Sequence, residues 1–254
     1  MRHEDQAVEL PASPFEPDAR LRRRERIAYL RIVKLLAPPV RQPRATGRAP
    51  VLLVPGFLSG DWSMAPLGRF LRRRGNATFG SGFRFNAGCT EELVHRLERR
   101  LDAVATRTGR PVAIVGQSRG GTLARLVVTR RPELVAALVT LGSPIVDPLA
   151  AAPDVLRQIE WLVRVNRAGR PWLLTEDCVR GECATWVRRT LAEPFPPQVP
   201  YTAVYSRSDG IVDWRACLDP AAEHVEVHTS HNGMGSHRTT YRIIENRLAA
   251  LDRS

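Results

Sequence analysis

Short apolar runs closed by Gly or Pro, each followed by a stretch of helical periodicity, recur along this chain and narrow its possible folds sharply. Val51-Leu52-Leu53-Val54 ends at Pro55-Gly56, Val112-Ala113-Ile114-Val115 ends at Gly116, and residues 134–141 end at Gly142-Ser143-Pro144. Runs this short and this apolar read as strands covered on both faces. Between them, residues 66–74, 91–107 and 120–131 have helical spacing and stop at Gly75, Gly109 and Pro132; Leu93, Leu97, Leu101 and Val104 line one side of the second. Further strands are predicted over 78–84, 201–205 and 225–227, and a closing helix over 239–251. This alternation predicts an α/β fold: a mostly parallel central sheet with helices on both faces and right-handed crossovers.

One strand runs straight into a chemically loaded turn. Gly116-Gln117-Ser118-Arg119-Gly120 fits G-x-S-x-G, with a buried strand before it and a helix after it. That context turns a weak pentapeptide into a nucleophile elbow. The two glycines leave room for strand and helix to approach, and Ser118 is lifted above the sheet edge beside a helix N-terminus. Neither G-x-G-x-x-G nor a P-loop fits the spacing. A serine hydroxyl needs a base within reach, and the base needs an orienting acid.

On these motifs the chain resembles the α/β-hydrolase superfamily over about residues 49–251. It is most similar to bacterial serine esterases and lipases, particularly those of actinobacteria. The resemblance implies the chain order Ser, acid, His. His231, in Ser230-His231-Asn232-Gly233-Met234-Gly235 after the last strand, is then the first choice of base, with His228 and His237 as alternatives. Asp209, in the turn after residues 201–205, is the first choice of acid; Asp213 is the runner-up, with capping of the turn at Trp214 as its other role. The resemblance also implies an oxyanion hole from the backbone N–H groups of Phe57 and Arg119. The expected activity is carboxylic ester hydrolysis (EC 3.1.1 class) through an acyl-enzyme on Ser118, on a small-molecule or lipid ester, with no metal or organic cofactor. An acyltransferase on the same triad is the alternative enzyme. Leu58, Trp62, Met64, Ile145 and Val146 are candidate pocket residues. Arg119 has a side chain suited to an anionic substrate or to a salt bridge.

Length and composition fit this scheme. The chain has 254 residues, 43% hydrophobic, enough for a single full-sized core. Residues 49–254 are expected to form the catalytic domain. Within it, residues 145–197 are too long for a simple connection and hold three of the five Trp (Trp161, Trp172, Trp186), Cys178, Cys183 and a Pro-rich exit. They are predicted to form a helical cap, the tryptophans either lining a pocket or forming the cap's own core. Residues 1–48 stand apart as an acidic tail, a basic amphipathic helix over 19–37 with Ile27, Leu30, Val33 and Leu36 on one face, and a linker.

The net charge of +12 is unevenly spread. Residues 20–48 carry nine Arg and Lys34 against Glu25 alone. Such a block suits a solvated docked helix or an anionic membrane surface. A non-catalytic basic binding module is the reading from outside enzymology. No nucleic acid is expected, because the block contains only Tyr29 for stacking. The charged N-terminus lacks a signal-peptide core and no run reaches membrane-spanning length, so a cytoplasmic protein is expected. Cys89, Cys178, Cys183 and Cys217 form no C-x-x-C pair and no zinc spacing with His; a Cys178–Cys183 disulfide across a short loop is the open alternative.

Overall fold

A computed structural model describes residues 15–34, 48–169 and 172–252. Six strands form one sheet: β1 (Val51–Val54), β2 (Thr78–Gly80), β3 (Val112–Gln117), β4 (Val135–Leu141), β5 (Tyr201–Tyr205) and β6 (Glu223–Glu226), in the order β2-β1-β3-β4-β5-β6. Every pairing is parallel. The expected α/β fold is therefore present, with the sheet parallel throughout among the described strands.

Alternate side chains of β1 and β3 feed two cores. Leu52, Val54 and Ile114 pack with Leu97, Leu101, Leu123 and Leu126 from α3 (Thr90–Thr108) and α4 (Arg119–Arg130). Val51, Leu53 and Val115 face the other way, onto Leu67 and Leu71 of α2 (Ala65–Arg73) and Ile244 and Leu248 of the terminal helix, Arg238–Leu251. Burial on both faces explains why these strands read as unbroken apolar runs. The edge strand β6 differs: Glu223 and His224 are exposed, and the strand starts and ends earlier than 225–227.

Between β4 and β5 the predicted insertion supplies α5 (Pro153–Arg167), α6 (Asp177–Arg180) and α7 (Glu182–Ala192). Leu162, Val163, Leu173, Leu174 and Val179 form a third, smaller cluster there, with Phe57 and Leu58 of the post-β1 loop packed against it. The first helix, α1 (Ala19–Lys34), lies within the predicted segment, and residues 35–37 of that segment lie outside the described residues. Ile27 is exposed; the side chains of Leu30 and Val33, and all of Leu36, lie outside the described residues. Among the described residues no helix is long and apolar enough to cross a membrane.

The strand order reverses beside β1, between it and β3. In open parallel sheets such a reversal leaves a crevice at the carboxyl ends of the strands. The loops leaving β1 and β3 begin with Pro55 and Ser118.

Candidate active site

Ser118 joins β3 to α4 with φ 52° and ψ −130°. Only one other non-glycine described residue, Leu58 in the loop after β1, has positive φ. Such backbone costs about 1–3 kcal/mol at each site and persists only where surrounding structure enforces it. The enforcement is visible: a Cβ on Gly116 would lie 2.5 Å from the Gly121 Cα, and one on Gly120 would lie 2.4 Å from the Pro55 carbonyl oxygen. The Ser118 N–H donates to the Leu141 carbonyl of β4 at 2.8 Å.

The loops after β5 and β6 meet beside it. His231 Nδ1 lies 2.6 Å from Asp209 Oδ2, both side chains nearly fully buried. Asp209 Oδ1 accepts from the Ile211 and Val212 N–H groups, each at 2.8 Å, so the carboxylate is fixed on both oxygens. Asp213 is elsewhere, accepting from the Arg215 N–H at the head of the Trp214–Cys217 turn. His228 is exposed, and His237 stands at the N-cap of the terminal helix. The imidazole carrying loop is itself a single helical turn, His231–Met234, capped by Ser230.

A third carboxylate enters from α1. Glu25, 5% exposed, accepts from the N–H groups of His231 (2.6 Å), Asn232 (2.9 Å) and Gly210 (3.0 Å). It thus ties the turn holding Asp209 to the turn holding His231. Gln117 Nε2 donates to the His231 carbonyl from the other side, at 3.2 Å. Burial alone would lower the His231 pKa, but the Asp209 charge and hydrogen bond, together with the Glu25 charge, outweigh it and hold the pKa above its ordinary value.

The loop after β1 closes the other side. A Cβ on Gly56 would sit 3.2 Å from the Ser118 Cβ, so the Gly56-Phe57 peptide abuts the serine. Among the described residues neither the Phe57 nor the Arg119 N–H has an acceptor within the protein. Arg119 opens α4, where an unpaired N–H is intrinsic to a helix start. Asn86, fully buried, holds this loop: its Nδ2 donates to the Pro55 carbonyl (2.8 Å), its N–H to the Ser59 carbonyl (2.8 Å), and its carbonyl accepts from the Leu58 N–H (3.0 Å). Among the described residues the Arg119 side chain has no carboxylate partner. It donates to Asn86 Oδ1 (3.1 Å), the Gly88 carbonyl (2.7 Å) and Thr90 Oγ1 (3.0 Å), and burial lowers its pKa to about 10.

Ser118, His231, Phe57 and Arg119 all border one cavity of about 970 Å³. Its walls are mainly apolar, with Leu58, Trp62, Leu149, Ile159, Val179 and Val187 among them. Of the predicted pocket residues, Leu58 and Trp62 are there; Met64 and Ile145 are buried in the body, and Val146 is exposed to solvent. None of the three cap tryptophans lines it. Trp161 and Trp172 are more than half exposed, and Trp186 packs on the body beneath Arg130.

The Alpha/beta hydrolase family description matches residues 51–251, most of the chain. The chain belongs to this family. Comparison with curated protein sequences gave no match. Among solved structures, this α/β-hydrolase is similar to a Bacillus licheniformis lipase in its mature form (TM-score 0.63, 14% identity, 83% of this chain and 96% of that one). It is also similar to a Paleococcus ferrophilus monoacylglycerol lipase (0.55, 13%, 84% and 99%) and to an α/β-hydrolase enzyme from a lagoon-sediment metagenome (0.59, 16%, 81% and 92%). At these identities the likeness is one of fold.

Two residues of this α/β-hydrolase site escaped the sequence reading. Glu25 left one signal, as the only acid in a block of ten basic residues. Asn86 left none, because nothing in its neighbourhood marks an asparagine whose amide and backbone serve a loop 31 residues earlier.

Proposed function

We propose that this chain is a serine hydrolase of carboxylic esters, working through an acyl-enzyme on Ser118. The observation that carries the reading is the buried 2.6 Å contact between Asp209 and His231 at the rim of the cavity that the strained Ser118 also borders. In this reading His231 takes the Ser118 proton as the hydroxyl oxygen attacks the ester carbonyl. Asp209 holds the tautomer and balances the imidazolium. The negative charge that develops on the carbonyl oxygen falls to the two amides without protein acceptors, Phe57 and Arg119, each worth about 2.7–4 kcal/mol in such sites. His231 passes the proton to the departing alcohol, and water repeats the steps on the acyl-enzyme.

The apolar walls favour an acyl chain, and the lipases of similar fold are in keeping with that. The test is a p-nitrophenyl ester series from acetate to palmitate, with a fluorophosphonate to label the nucleophile. Turnover and label on Ser118, both lost in Ser118→Ala, are expected. Turnover undiminished in Ser118→Ala would end the proposal.

A second element of the reading concerns α1. Arg22 and Arg26 border the same cavity, and Arg20, Arg23 and Arg24 are exposed beside them. This face suits an anionic lipid surface presenting substrate at the cavity mouth. Activity on substrate carried in anionic vesicles should exceed that in zwitterionic vesicles and converge with it at high salt.

A further inference from the structure

We propose that Cys89, Cys178 and Cys183 form a binding site for a soft divalent cation of the zinc type, pinning the cap to the body beside the substrate cavity. The three residues come from separate elements: Cys89 stands at the N-cap of α3, Cys178 in α6 and Cys183 in α7. Their sulfurs all lie within 4.8 Å of one another, and Cys89 Sγ is 3.9 Å from Cys183 Sγ. Zinc–sulfur bonds of about 2.3 Å at tetrahedral angles place sulfurs about 3.8 Å apart. The separation observed is thus that of neighbouring ligands on one ion.

Charge supports a divalent ion. Three thiolates around M²⁺ carry a net charge of −1. The buried Arg119 guanidinium couples electrostatically to all three sulfurs and is anchored on Gly88 and Thr90, the residues either side of Cys89. Its charge would neutralise the assembly, whereas a monovalent ion would leave an excess negative charge. Among the described residues no fourth His, Cys, Asp or Glu joins the group, so the remaining tetrahedral corner falls to water. On binding, each thiol releases its proton to solvent, three sulfurs enter, and the hydrated ion sheds all of its waters but one as it becomes tetrahedral. Cys178 borders the substrate cavity, so the ion would stand between that cavity and the junction of α3 with the cap.

The experiment uses the full chain, reduced and stripped with a chelator, then titrated with Zn²⁺ against a chromophoric chelator. Cd²⁺ serves as a second probe, read through its ultraviolet thiolate charge-transfer band. One equivalent should bind, release protons, protect the half-buried Cys89 and Cys178 from alkylation and raise the melting temperature by several degrees. Cys89→Ser, Cys178→Ser and Cys183→Ser should each weaken binding by roughly 100-fold or more, beyond the 10–100-fold typical of outer-shell partners; Cys217→Ser should bind as the wild type does. Because Cys183 is buried and its variant is at risk of misfolding, the half-buried Cys89 and Cys178 variants, checked by circular dichroism, carry the test. Absence of stoichiometric binding by the reduced protein would overturn the proposal. So would binding that survives in folded Cys89→Ser and Cys178→Ser, or a disulfide within the trio in protein that takes up no metal after reduction.

Discussion

Replacing Glu25 by Gln tests whether a helix outside the sheet sets the chemistry of the proposed base, His231. Glu25 Oε1 accepts from His231 and Gly210, and Oε2 accepts from Asn232. In Glu25→Gln the amide oxygen can keep the first two bonds, while its NH₂ faces the Asn232 N–H. One charge-assisted bond is lost, about 1.5–3 kcal/mol, and one negative charge near His231 disappears. Glu25→Ala is harsher. It strands three N–H groups at about 1–3 kcal/mol each, a sum comparable with a domain's whole margin of ~5–15 kcal/mol. Release of α1 is then the less costly outcome.

The pH sign follows from the same contacts. In the proposed mechanism His231 must be neutral to act as a base, and the Asp209 and Glu25 charges hold its pKa above the ordinary value. Activity therefore appears as pH rises through that elevated pKa. Without the Glu25 charge the pKa falls, so the acid limb of kcat/KM in Glu25→Gln should move to lower pH even as peak activity drops. Stability responds in the opposite sense: the raised pKa adds stability that is complete below the unfolded value of about 6.5 and is lost as pH rises through the folded one. Urea titrations at two pH values and a kcat/KM profile on one soluble ester read both effects. An unchanged urea midpoint together with an unmoved acid limb, or a limb displaced to higher pH, would refute the reasoning.

Other outcomes follow from the geometry. Ser118→Gly should raise stability by about 1–2 kcal/mol by relieving the positive φ, whereas Ser118→Ala keeps the strain; both should lower kcat by roughly 10⁴-fold or more, and melting curves beside kinetics separate them. Asp209→Asn should cost about 10⁴-fold in kcat through the wrong imidazole tautomer, while Asp213→Asn should leave kcat within a few-fold and remove at most about 1 kcal/mol of capping; equal kinetic losses would put the acid elsewhere. Asn86→Ala should loosen the post-β1 loop and lower kcat more than it changes KM, and a pure KM effect would place Asn86 in ground-state binding instead.

The parts legible in the sequence are those with local signatures. The central strands announce themselves because both faces are covered, and α3 because Leu93, Leu97, Leu101 and Val104 share a face that is buried. The elbow is legible because Ser118 needs a glycine on either side of its turn, and Asp209 and His231 because each sits in the turn after a strand. Side chains acting through distant backbone leave no such trace. Glu25 meets its partners across 185 to 207 residues, and its place in a basic helix pointed toward solvent or membrane. The cap tryptophans misled for a related reason: aromatic content shows that area is to be buried somewhere, but not which face of a helix meets the cavity. The cysteines fail every spacing rule because their site is assembled from three elements, two of them in the insertion.

The contact between α1 and the imidazole turn also fixes a sequence of events during synthesis. Glu25 leaves the ribosome about 10–40 s before His231, at 5–20 residues per second across the 206 positions between them. For the first 185 of those positions the carboxylate has none of its three amide donors, and at their end it gains only the Gly210 N–H; the imidazole turn it will hold comes later still. The proposed apparatus therefore stays unarmed until residue 231 has been made, and its latch is fastened by a helix residue that emerged 206 positions earlier.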